Sequence, residues 1–161
     1  MLKGNGQCVI CDFGLSARFY DEFSSADIRK SKIIVGTPRY LAPETFRING
    51  NDQISLKYAR AADVYALSLV FWELCSRTEC SSVPHPYCLP YSDVLGVNPT
   101  INDVKDTILD KGIRPKILAE WWTFPVAGTL SRIMVNSWME CPLERLTATR
   151  IKNDLKSNRF S

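Results

Sequence analysis

The stretch at residues 58–77 constrains the fold of this chain more than any other. It reads as one long helix whose middle is apolar nearly all round, and such a helix belongs at the centre of a bundle, covered on every side. Its most apolar part, residues 64–72, is bracketed by Asp63 and Glu73, so it falls well short of the roughly 20 residues that a membrane-spanning helix needs. The expectation is a buried axis in a mainly α domain. The 161 residues, 45% of them hydrophobic, are about one domain's worth of chain, enough to close a core around that axis. Twenty basic residues are interleaved with 17 acidic ones. A net charge of +3 so distributed argues for neither a nucleic-acid partner nor a membrane surface.

The rest of the chain arranges itself before and after this axis. Gly4-Asn5-Gly6 reads as a tight turn leading into a short buried strand at residues 7–11, because Asn-Gly favours positive φ and Cys8-Val9-Ile10-Cys11 is β-prone. Residues 12–54 lack a sustained helical period; glycines at 14, 36 and 50 and prolines at 38 and 43 describe a long ordered loop with short helical pieces. Residues 81–99, with prolines at 84, 86, 90 and 99, form a second loop. Thr100, with Asp103 three residues on, caps a helix to about Leu109. A further helix spans 126–139, with Leu130, Ile133, Met134 and Trp138 on one face. Thr147 caps a last one that ends near Ser157.

Two strings carry the chemistry. Asp12-Phe13-Gly14 follows the predicted strand, and an Asp at a strand exit offers hard oxygen to Mg²⁺ against nucleotide phosphates, with Phe13 packed inward and Gly14 letting the chain turn. Alone, three residues are most often an ordinary strand-to-turn exit. The second string, Gly36-Thr37-Pro38-Arg39-Tyr40-Leu41-Ala42-Pro43-Glu44, changes that weight.

Together the strings resemble the activation segment of protein kinases, here 33 residues from Asp12 to Glu44. The Gly-Thr-x-x-Tyr-x-Ala-Pro-Glu form is the one found in Ser/Thr kinases, which places Thr37 in the substrate-facing loop. Asp63, at the start of the axial helix, matches the residue that braces the catalytic loop in kinases. Arg145 matches the partner of the glutamate at Glu44, and the resemblance implies a buried bidentate pair that ties the loop to the last helices. Residues 56–74, Tyr87-Cys88-Leu89-Pro90-Tyr91-Ser92-Asp93, Arg114-Pro115 and residues 141–152 are similar to receptor Ser/Thr kinases of the transforming growth factor β superfamily. Most of these strings resemble the type I receptors. Phe13, where many type I members carry Leu, is closer to type II, and Ser68 replaces a glycine common in the family.

The resemblance implies a mainly α fold: the C-terminal lobe of a protein-kinase-like domain, with a short β strand at its amino end. The activation segment is 12–44 and the helical lobe 55–161 of a partial kinase domain spanning 1–161. The family's Gly-rich loop, ATP-anchoring lysine and His-Arg-Asp catalytic loop are absent from these residues, and alignment would put the catalytic Asp upstream of Met1. The implied cofactors are ATP and Mg²⁺ or Mn²⁺ in an intact protein, with Asp12 as metal ligand and neither cofactor bound tightly by this chain alone. An intact protein would be a single-pass membrane receptor with a cytoplasmic kinase. It would assemble as a type I/type II hetero-complex of receptor kinases, act on Smad-like substrates, and bind no nucleic acid. The chain alone is predicted inactive. The rival reading is a truncated, catalytically dead module that competes for receptor partners or substrate.

Other residues attract plainer readings. Cys8 and Cys11 have metal or redox spacing, but a strand would point them to opposite faces, so core thiols are the expectation. The six cysteines read as reduced in a chain this large. His85 is assigned nothing. The four tryptophans read as core or groove-lining residues. Ser24, Ser25 and Ser31 are candidate phosphosites, with Arg18 or Arg39 as partners for an added phosphate.

Overall fold

The computed structural model describes residues 1–16, 25–26, 36–47, 54–78 and 86–157. The axial helix is present as α1, Leu56–Arg77. Its buried residues Ala61, Val64, Tyr65, Ser68, Leu69, Trp72 and Cys75 recur in steps of three and four, the stripe that one helix face presents to a core. The other face is open: Val70 and Leu74, one turn apart, are 44% and 49% exposed. The expectation of burial all round is therefore corrected to burial of one broad face. Apolar residues on both sides erase the contrast from which a sequence reveals its solvent side.

Helix α2, Ile101–Lys105, begins at the predicted cap. The Thr100 hydroxyl accepts from Asp103 N at 3.2 Å while Asp103 Oδ2 accepts from Thr100 N at 2.8 Å, a reciprocal box that satisfies two otherwise orphaned donors. The helix then widens to π geometry over Asp106–Asp110, with Lys111 N donating to Asp106 O. Gly112, at φ 63°, reverses the chain in a conformation that costs other residues a Cβ clash.

Helix α3, Pro125–Ser137, starts on proline, where the missing N–H is no loss. Ile133, Met134 and Trp138 are buried as the periodicity predicts, with Leu130 half-buried against them. Helix α4, Ala148–Ser157, is capped by Thr147, whose hydroxyl accepts from Arg150 N at 3.2 Å. Its Ile151 packs with Val64 and Ile133.

The main core joins Tyr65, Leu69 and Trp72 of α1 to Val104, Ile108, Trp121, Met134 and Trp138. Trp72 meets Trp121 edge to face at 6.0 Å and donates Nε1–H to Lys116 O at 2.8 Å, so the indole buries its ring without stranding its donor. Trp122 departs from the core reading, being 47% exposed beside Trp121. The paired strands are short: β1, Ser25–Ala26, runs antiparallel to β2, Ile54–Ser55, with Ser25 opposite Ser55.

The amino end corrects another expectation. The Asn5-Gly6 turn forms, with Lys3 N donating to Gln7 O and Gln7 N to Asn5 Oδ1, but it closes a single bridge, Leu2 with Cys8. No buried strand follows. Ile10 is 86% exposed, and both Cys8 and Cys11 are exposed free thiols rather than core residues. A strand needs a neighbouring ladder and a core against one face; the pairing here ends with Val9, which exchanges hydrogen bonds with Met1, and residues 10–11 have neither ladder nor core among the described residues. No described helix is long and apolar enough to cross a membrane.

Candidate functional site

Two short 3₁₀ turns shape the loop around residues 36–47. Gly36 enters it at φ 119°, a region closed to most side chains. Pro38 then opens the turn Pro38–Tyr40, and Pro43 opens Pro43–Phe46. Both prolines fix φ where no N–H is needed. Ala42 and Pro43 are buried, and Thr45 Oγ1 donates to Ala42 O at 2.6 Å. The loop is thus pressed onto the helical body at 42–44, which carries the Glu44 carboxylate inward.

There it meets Arg145, 101 residues away. Arg145 Nη1 donates to Glu44 Oε1 at 2.8 Å and Nη2 to Oε2 at 2.7 Å, the fork-to-fork geometry that a guanidinium is built for. Nη1 also donates to Ala61 O at 2.9 Å and Nε to Met139 O at 2.8 Å. The guanidinium lies 5.0 Å over the Tyr65 ring, a favourable cation–π placement. Both charges are buried, and the bonds that surround them meet the desolvation that burial imposes. One arginine therefore joins the loop, α1 and the segment before α4.

The neighbours Arg39 and Tyr40 reach in different directions. The Tyr40 hydroxyl donates to Glu73 Oε1 on α1; partial burial, and then that carboxylate, push its pKa far above the usual phenol range. Buried Arg39 donates Nη1 to Pro90 O at 2.7 Å and Nη2 to Gly96 O at 2.5 Å and Val97 O at 3.2 Å. Both terminal nitrogens thus donate to backbone carbonyls. This corrects the expectation that Arg39 receives a loop phosphate. Arg18, Ser24, Ser31 and His85 lie outside the described residues, and for Ser25 only the backbone is described.

Thr37 is exposed, and its hydroxyl makes no hydrogen bond among the described residues. Asp63 stands on the early turns of α1, with its carboxyl reached by solvent yet sufficiently desolvated to sit above the usual carboxylate range. Asp12 is exposed with φ 64°, in the left-handed region that Asp enters more readily than most residues. Phe13 is 65% exposed, against the expected inward packing. Among the described residues, no hydrogen bond or ion pair joins segment 1–16 to the helical body, so nothing there covers the ring. The structure brings Glu44 and Arg145 together but does not bring Asp12 into contact with them. A Mg²⁺ held mainly by phosphate and water asks one carboxylate or two of its protein. Asp12, exposed and without a hydrogen-bond or ion-pair partner among the described residues, is one such carboxylate.

Several residues of this network were not among the candidate site residues. Tyr65 and Tyr91 share a hydroxyl–hydroxyl hydrogen bond of 2.6 Å in the core; burial raises both phenol pKa values. Arg114 lies 5.5 Å from the Tyr65 ring and donates to Trp138 O, Ile108 O and Glu140 Oε2. Glu140 also accepts from Arg47 at 2.6 Å, which returns the network to the loop. Tyr65, Tyr91 and Arg114-Pro115 each stand in a string that carried the family resemblance, but the resemblance did not point to this set of contacts.

Residues 1–154 match the protein kinase domain family. The chain is 34% identical over 158 residues to TGF-beta receptor type-1 and to Activin receptor type-1B, both of Homo sapiens. It is 33% identical over 155 residues to human Activin receptor type-1C. Each alignment covers 96% of this chain and about a third of the relative, 30% for the first two and 31% for the third.

Proposed function

From the premise that the chain belongs to the protein kinase family, we propose that it is the C-terminal part of a receptor Ser/Thr kinase domain, with the activation segment at 12–44 and the helical lobe at 55–161. The observation that carries this reading is the bidentate Glu44–Arg145 pair. It anchors the end of the loop whose Thr37 faces outward, in a chain similar to type-1 TGF-beta and activin receptors over nearly its whole length. Thr37 sits where a substrate hydroxyl would be presented, and Asp12 would hold Mg²⁺. Bound Mg·ATP would supply the phosphoryl group; the contribution of this chain is to orient the metal and the acceptor loop, since positioning and electrostatics provide most of the rate in phosphoryl transfer.

In a complete receptor, this part would lie on the cytoplasmic side of a single membrane span. There it would work in a type I/type II complex and phosphorylate Smad-like proteins on Ser or Thr. The 161 residues contain no His-Arg-Asp loop and no Gly-rich phosphate loop, so by themselves they would give no turnover.

The test is phosphoamino-acid analysis. A chain joining these residues to a kinase N-lobe and catalytic loop should, with Mg·ATP, label Ser or Thr of a substrate, while the 161 residues alone label nothing. Labelling of Tyr, or turnover by the 161 residues alone, would overturn the reading.

A further inference from the structure

The Arg39 guanidinium is buried, yet among the described residues no carboxylate faces it. A buried cation without a counter-ion is costly unless its donors are satisfied. Here the satisfaction comes from the carbonyls of Pro90, Gly96 and Val97, more than fifty residues along the chain. Backbone carbonyls are fixed points, so this side chain records where one loop sits relative to another.

The segment it grips is itself held in an unusual shape. Tyr91 has φ 63°, an outlier for a bulky residue that persists only where the surroundings over-determine it. Its carbonyl accepts from both Val94 N and Leu95 N, its hydroxyl pairs with Tyr65, and its ring is fully buried. The carbonyl immediately before it, that of Pro90, is the one that Arg39 Nη1 takes at 2.7 Å. The 90–97 turn is thus gripped from α1 through Tyr65 and from the 38–40 turn through Arg39.

We infer that Arg39 is a positioning residue, which fixes the 37–41 loop on the 90–97 turn so that the two behave as one unit and Thr37 keeps its outward placement. The inference deepens the reading of 37–41 as the substrate-facing loop and rests on it for its functional meaning. Charge alone does not suffice, because the contact needs two guanidinium nitrogens aimed at separate points of the turn. Lysine offers one compact ammonium in place of a planar fork.

Amide hydrogen exchange on the whole chain tests this, comparing the native sequence with Arg39→Ala and Arg39→Lys. Hydrogen bonds from a charged donor are strong enough that their loss should raise local exchange by about tenfold or more. The increase should appear together in 37–42 and 89–98, should leave the slow amides of α1 and α3 unchanged, and should persist in the lysine variant. Unchanged exchange, an increase in only one segment, or restoration by lysine would overturn the proposal. Lost protection of α1 in both variants would make Arg39 a support of the whole core, and would overturn it too. If Arg39→Ala does not fold, the lysine variant decides by the same criteria. The readout needs no turnover, so failed phosphotransfer with coupled exchange would sink the functional reading while the clamp stands.

Discussion

The pair formed by Glu44 and Arg145 shows what a single residue contributes. With Arg145 replaced by alanine, the Glu44 carboxylate is left buried without its partner, and the carbonyls of Ala61 and Met139 each lose a donor. Arg145→Ala should cost about 3–5 kcal/mol in denaturant unfolding, the range for breaking a buried ion pair, whereas a loss under about 1 kcal/mol would mark a surface pair. Asp63 poses a different balance. Its carboxyl is raised by desolvation, so the native state holds that proton more tightly than the unfolded chain does. The resulting stability is present below the usual carboxylate range and is lost as pH rises through the raised value. Asp63→Asn should therefore raise the unfolding midpoint at neutral pH and leave it nearly unchanged in acid; equal midpoints at neutral pH would contradict this. The partnership of Glu44 with Arg145 was legible because both residues stand in recognisable strings. The clamp of Arg39 was not, because its acceptors are backbone carbonyls, which every residue carries.

At the scale of elements, helix starts were read well and local surroundings poorly. Thr100 with Asp103, and Thr147 before α4, announce their caps through side-chain chemistry that acts within three residues. Thr100→Ala should cost about 1 kcal/mol of stability at neutral pH, measured by thermal or denaturant unfolding. The hydrogen bonds from Thr100 hold the Asp103 carboxyl below its ordinary pKa, so the contribution of the box is present above the usual carboxylate range and fades as pH falls through the lowered value. An equal cost of Thr100→Ala in strong acid would contradict that coupling. The π-helical turn at Asp106–Asp110 escaped prediction because one widened turn barely alters the apolar spacing. The strand expected at 7–11 failed for a related reason: β-prone residues state a preference, and only a neighbouring ladder and a core realise it.

At the scale of the whole molecule, the described residues form a helical body built on α1, with the 36–47 loop fastened to it through Glu44 to Arg145, Tyr40 to Glu73, Arg47 to Glu140, and Arg39 to the 90–97 turn. The sequence showed that an axis existed and which motifs flank it. It did not show that Val70 and Leu74 would face solvent, because burial of a helix face is decided by what packs on it. In the proposed function, this body would orient the substrate-facing loop at Thr37 while Asp12 would supply a metal ligand. The most direct test is Mg·ATP-dependent phosphotransfer by a chain in which these residues follow a kinase N-lobe and catalytic loop, compared with its Asp12→Asn form. Loss of a group that holds charge in the transition state should lower kcat by about 10²-fold or more. Phosphotransfer undiminished by Asp12→Asn would contradict a metal-holding role for Asp12.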